Sequence, residues 1–242
     1  MKTPKPQLTQ FEISLKHLLR EYAEALLYAF LVALFIRSFI LSAYRIPSLI
    51  MAPSLVAGDF IFAYKLPFGI TPPFMDEANR WGGRSPQRGE VVILSCPGVA
   101  EKSCIRRVIG LPGDRVELQG KRLILNGQMA QYEPASTGVA TIQDLGEYNV
   151  VLNESWGGIH HPILIGPRAE REDFGPVVVP PGHLWVLSDY RDMGEDSRDW
   201  GPVSTRSLEA KAAFIWLSLG WEEEDRSWFP QVRWSRVGLR VD

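Results

Sequence analysis

Two cysteines and four histidines in 242 residues leave little material for a metal centre. His160 and His161 sit together in GGIHHPI, which reads as a glycine-bracketed loop. Without a cysteine or carboxylate at ligand spacing, the pair reads as solvated or structural, and His17 and His183 are isolated. No metal or cofactor is expected. Charge of one sign is also missing: the net charge is -2 and no basic stripe recurs along the chain, which argues against a nucleic-acid partner. There is no internal repeat and no low-complexity tract. Helical periodicity is scarce as well. The 21 glycines and 18 prolines are spread along the chain, as befits many turns between short strands and not a helical bundle.

One long apolar run stands out. From Tyr22 to Tyr44 the chain reads YAEALLYAFLVALFIRSFILSAY, with Glu24 and Arg37 its charged residues. A helix of this length crosses a hydrocarbon layer of about 30 Å. A run so apolar on every side is a poor buried helix of a soluble protein. It is also long for the core of a cleavable leader, and YRIPS after it is no small-residue cleavage site. We read residues 22–44 as an uncleaved anchor. Lys2, Lys5, Lys16 and Arg20 precede it, which places residues 1–21 in the cytoplasm and 45–242 outside. Arg37 lies close enough to the outer end to reach the headgroups. Cys96 and Cys104 flank a turn-rich loop between two strand-like runs, and outside the cytoplasm a disulfide between them would persist.

The rest reads as strands. Residues 60–66, 90–96, 104–111, 114–119, 121–127, 148–154, 175–182, 183–189 and 212–219 are short, rich in β-branched or aromatic residues, and bounded by turn formers. The spacing predicts a mainly β, antiparallel barrel-like or sandwich domain. Residues 128–174 are less patterned and form a lobe on that core, while 69–75 and 81–89 read as loops. Phe68, Phe74 and Met75 are apolar where a loop should be polar, so they meet either the bilayer or the core. The acidic run from Glu222 to Asp225 reads as a solvated turn. The closing VRWSRVGLRV is either a last strand or a basic tail near the membrane.

Five motifs occur in order: the anchor running into Ile-Pro-Ser, then MAPSLVAGDFIFAYKLPFG, RGEVVIL, IRRVIGLPGDRV, and SDYRDMGEDSRDWGPV with the strand AAFIWLSL after it. Together they resemble type I signal peptidases, membrane-bound serine endopeptidases that remove signal peptides from secreted preproteins. The resemblance implies a β-rich extracytoplasmic domain on the membrane face, a serine nucleophile, a lysine general base kept neutral by apolar burial, and oxyanion donors.

At the reacting positions the resemblance breaks. The family pattern Ile-Pro-Ser-Gly-Ser-Met-x-Pro-Thr-Leu aligns without gaps on Ile46 to Leu55. Pro47, Ser48, Met51 and Pro53 are kept, and the resemblance gives Ser48 a role in the oxyanion hole and substrate groove. The nucleophile position is Ile50, which has no nucleophilic atom. The lysine position is Arg106, a cation that does not surrender its proton in proteins. Leu49 replaces a glycine beside the nucleophile, where it would crowd the approaching peptide, and Gly194 replaces the serine that positions the lysine. The scaffold residues persist. Gly110, Pro112, Gly113 and Asp114 make a turn, and Asp189, Arg191, Asp192, Asp196, Ser197 and Arg198 read as a supporting ion-pair and hydrogen-bond network.

These residues predict a signal peptidase homologue of a bacterial cytoplasmic membrane that has lost catalysis and binds signal peptides, a preprotein or a partner peptidase at a strand edge. Two alternatives stand. In one the enzyme is active with a relocated dyad, Ser48 or Ser54 acting with Lys65 or Lys102. In the other the protein is purely structural and binds no peptide.

Overall fold

The computed structural model describes residues 10–69, 81–98, 102–135, 149–166, 173–220 and 230–241. The expected strands 60–66, 90–96, 104–111, 114–119, 121–127, 175–182, 183–189 and 212–219 fall within them. Phe74, Met75, the acidic run 222–225, and parts of the lobe and of the loop 69–75 lie outside them. The chain divides into two units, Met1–Leu41 and Ser42–Asp242. The first holds helix α1 (Gln10–Phe35), followed by one wider helical turn over Ile36–Ile40. Its span His17–Ile40 has mean hydropathy 1.9 and buries nothing within the protein. Leucine, tyrosine and phenylalanine side chains from Leu18 to Ile36 stand exposed around it, the pattern of a helix solvated by lipid. The helix stops at Ile40 and not at Tyr44, because residues 41–45 already pair as a strand.

The second unit is built of strands. In chain order they are β1 (Leu41–Arg45), β2 (Asp59–Tyr64), β3 (Val91–Ser95), β4 (Ser103–Gly110), β5 (Arg115–Gln119), β6 (Arg122–Leu125), β7 (Gln128–Met129) and β8 (Gln131–Pro134). They continue with β9 (Val150–Trp156), β10 (Ile159–Ile165), β11 (Phe174–Val178), β12 (His183–Leu187), β13 (Val203–Ser204), β14 (Leu208–Gly220) and β15 (Gln231–Val232). The largest sheet runs β1-β2-β14-β3-β4-β12-β13, with β15 paired to β14, and β1 is its edge. A second sheet runs β11-β5-β6-β7, and a third, β10-β9-β8, occupies the expected lobe. The mainly β antiparallel architecture is as expected.

The alternation of β2 shows how this sequence makes the sheet. Asp59, Ile61 and Ala63 turn inward and are fully buried. Phe60 and Phe62 turn outward and meet Phe214 and Trp216 of β14, with ring centroids 5.5 to 5.8 Å apart. β3, wholly apolar through Leu94, is buried along that length, since it is covered on both faces. Phe68 packs against Val92, Leu94 and Leu208, so it meets the core. The basic tail is neither free nor a long strand. β15 pairs briefly with β14, and Arg233 and Arg236 then turn back onto the loop before β2.

The two faces of the sheet differ in what a truncation costs. Ile93→Ala, at a site with no exposure, should lower the unfolding free energy by about 3 kcal/mol, whereas Phe62→Ala on the outer face should cost about half as much. Denaturant unfolding of the detergent-solubilised protein checks this, and equal losses would mean the outer aromatics are as closely packed as the core.

Candidate active site

The segment Ile46–Asp59 is a closed loop. Ile46 N donates to the Asp59 carbonyl at 2.8 Å and Gly58 N to the Ile46 carbonyl at 2.9 Å. Met51 and Leu55 anchor it in the main core. Asp59, buried at the loop's base, accepts from Val56 N, the Ser218 hydroxyl and the Arg236 guanidinium. Arg236 also donates to the Ser54 carbonyl at 3.0 Å, and Arg233 to that of Ala57 at 2.6 Å. The tail therefore straps the loop that carries Ser48 and Ile50.

That loop forms one wall of a cleft of about 710 Å³. Pro47, Ser48, Ile50 and Met51 line it, together with Ile105 and Arg106 of β4, Glu195 and Trp200. The structure thus brings Ile50 and Arg106, distant in sequence, to the same cleft. Pro53 is not among the lining residues. Leu49 does not crowd the groove as expected. It packs away from the cleft against Ala52, Val56 and Leu164, because the turn Leu49–Ala52 swings its side chain toward that apolar cluster.

Arg106 and Arg107 are neighbours on β4, and strand alternation separates them. Arg106 goes to the cleft. Its Nε donates to the Glu195 carbonyl at 2.8 Å, one Nη reaches the same oxygen, and the other donates to the Ile105 carbonyl at 2.6 Å. Arg107 goes to the opposite side and is fully buried against Asp189, with Nε and Nη contacts of 2.8 and 2.7 Å. The sequence reading did not single out Arg107. The doubled arginine of IRRVIG was the available signal, since strand alternation sends one of the two inward.

The supporting residues do not form one network. Asp114 holds the turn after β4, accepting from Arg88, Asn126 and Leu111 N. Asp196 caps the short helix α2 (Ser197–Trp200) and accepts from Ser188 and Arg198, while Ser197 accepts from Val186 N. Asp192 pairs with Lys121 at 2.9 Å. Asp189 and Arg191 belong to the buried cluster below the loop. There Ser54 donates to Asp189, Arg107 donates to Ser54 at 3.0 Å, and Arg191 clamps Glu154 of β9. Separate strand ends supply these groups, so nearness in sequence did not make them one cluster.

Ser54, committed to Asp189 and Arg107, is no spare nucleophile. Ser48 and Lys102 both line the cleft, and Lys102 is exposed there. Lys65 does not line the cleft. Cys96 and Cys104, which do, are joined by a disulfide with Cα atoms 5.2 Å apart. The histidine pair lies on β10 and not in a loop, since Ile159–Ile165 pairs along its length with β9. His160 points outward and His161 inward, where its Nε2 comes within 3.3 Å of Glu154, though neither ring nitrogen has an aligned hydrogen bond. No group of three potential metal ligands occurs among the described residues.

A family model described as signal peptidase, peptidase S26, matches residues 19–217. A signal peptidase I of Pseudomonas fluorescens is 33% identical over 92% of this chain and 79% of its own length. That of Pseudomonas aeruginosa is 32% identical over 98% and 84%. The chain belongs to the signal peptidase family. A crystal structure of a signal peptidase I from Enterococcus faecalis aligns at TM-score 0.34 and 24% identity, over 53% of this chain and 97% of that one, too slight a likeness to bear on the site. The family implies a membrane anchor and signal-peptide substrates, and the apolar helix fits the anchor.

In this signal peptidase homologue the buried cluster ties stability to pH. Burial opposes the charge of Glu154, but Arg191 and His161 outweigh it and hold the carboxyl well below the usual range. Burial is likewise outweighed at Asp189, chiefly by Arg107. At His161 burial, reinforced by the Arg107 charge, pushes the imidazole down. Each group therefore binds a proton less readily folded than unfolded. Its contribution is complete above the unfolded value, about 6.5 for histidine and about 4 for the carboxylates, and is lost as pH falls. Thermal stability should thus weaken in two stages on acidification, and His161→Gln should remove the upper one, which sets in below about pH 6.5, and keep the lower. An unchanged profile would show that His161 does not titrate with folding. Arg107→Met, which strands Asp189 in the interior, should cost about 3–5 kcal/mol by the same measurement.

Proposed function

We propose that this protein is a catalytically inactive signal peptidase homologue that binds signal peptides, or a partner in their processing, at the outer face of a bacterial cytoplasmic membrane. One observation carries the reading: two groups that cannot react, Ile50 and Arg106, line the same cleft. By the motif resemblance these would be the places of the family's nucleophile and general base. An alkyl side chain offers no attacking atom. A guanidinium that stays protonated and donates to carbonyls accepts no proton. Loss of the nucleophile alone costs a serine protease around 10⁶-fold in turnover. The means of holding a peptide is independent of that loss. Among the described residues β1 is a sheet edge, it reaches the cleft at Tyr44 and Arg45, and an extended chain can add to it. Ile46, Met51 and Ile105 supply apolar contacts beside it. The N-terminus would lie in the cytoplasm and the β unit outside.

The runner-up, an active enzyme using Ser48, draws on the presence of Ser48 and Lys102 in that cleft. Cleavage of a preprotein in detergent separates the two. The wild type is expected to be silent, and Ile50→Ser with Arg106→Lys to gain cleavage at the signal-peptide site. Gly194 is left unchanged in that variant, because its φ of +78° strains any side chain and a Cβ there would come within 2.8 Å of the wild-type isoleucine side chain. Cleavage by the wild type that Ser48→Ala abolishes would sink the inactive reading.

A further inference from the structure

The two side chains that deprive the cleft of chemistry also hold one of its walls. Asp196 and Ser197 are fully buried, but the turn before them has little burial of its own at Met193 and Glu195, which are exposed. Arg106 reaches it from β4 and delivers two N–H groups to the Glu195 carbonyl. The same guanidinium lies over the Trp200 ring, 5.2 Å from its centroid, and Trp200 Nε1 returns a hydrogen bond of 3.0 Å to the Glu195 carboxylate. One residue earlier, Gly194 sits directly on Ile50. Any Cβ there would lie 2.8 Å from two of its carbons. Backbone contact closes the other end, where Tyr190 N donates to the Ile50 carbonyl at 3.0 Å.

A lysine cannot reproduce this. Its ammonium is compact and strongly hydrated, whereas a guanidinium is planar, lies on an indole face, and presents several fixed N–H groups to the backbone. A serine at 50 would leave the space above Gly194 empty. We propose that Arg106 and Ile50 are positioning residues that fasten Gly194, Glu195 and Trp200 beside the cleft, so that the grip on an apolar extended peptide is firmer with arginine than with lysine at 106. This rests on the peptide-binding reading above. It adds that the substituted pair is a working part of the binding site and not only the residue of a lost activity.

The test uses the full-length protein in detergent, with hydrogen exchange across residues 194–200 read beside the affinity for a fluorescent synthetic signal peptide. Arg106→Lys should speed exchange in that segment and weaken the peptide, each by roughly tenfold, with the thermal midpoint unchanged. Trp200→Leu should do the same, and the double variant should be no worse than the worse single one, since both break one contact. Unchanged exchange in Arg106→Lys overturns the proposal. So does a loss of protection across the whole chain with a lowered midpoint, which makes Arg106 merely structural. A wild type that binds no peptide sinks the peptide-binding reading instead, and the exchange rates then decide the clamp by themselves.

Discussion

Arg107 and Asp189, each with 1% of its side chain exposed, meet at the point where the cleft loop, the central sheet and the third sheet converge. Taking two charges out of water is expensive, and the pair persists because every nearby segment adds a partner. Ser54 comes from the cleft loop and the Gly89 carbonyl from the turn before β3, while the neighbouring Glu154–Arg191 pair ties in β9. Remove one partner and the other is left charged in the interior. The cleft loop, with Ile50 at its tip, takes its position from this cluster below and from the Asp59–Arg236 strap behind.

The same sheet that buries Arg107 sends Arg106 to the opposite side. Two identical residues, adjacent in sequence, therefore have unrelated work. One neutralises a buried carboxylate. The other faces a cleft, where it occupies backbone carbonyls and an indole face. Geometry of this kind suits holding and not reacting, for a group that donates on all sides has no lone pair for a proton.

Much of the fold was legible. The alternation of DFIFAY and the apolar run VVIL placed β2 and β3 because burial on one face or both leaves a period in the residues. β10 was missed. Gly157 and Gly158 before it and Pro162 within it look like loop signals, and the inward turn of His161 is set by pairing to β9, which no local pattern declares. Leu49 was misplaced for a similar reason. Its bulk was plain, but its direction depends on the turn that aims it at Leu164. The helix also ends earlier than the apolar run, since residues 41–45 carry on its composition in part but pair as a strand.

By itself the sequence determined that one segment suits a bilayer, that the remainder makes short strands, and that positions 50 and 106 carry an isoleucine and an arginine, neither of which attacks a carbonyl or takes up a proton. Those are properties of composition, period and residue chemistry, and folding does not alter them. Tertiary structure alone decided that Ile50 and Arg106 share one cleft, that Gly194 and Trp200 close over them, and that the acidic box divides among separate clusters. Such facts depend on which strands pair and which faces they turn inward. Cooperative burial of the whole chain settles that, and no short stretch of it carries the answer.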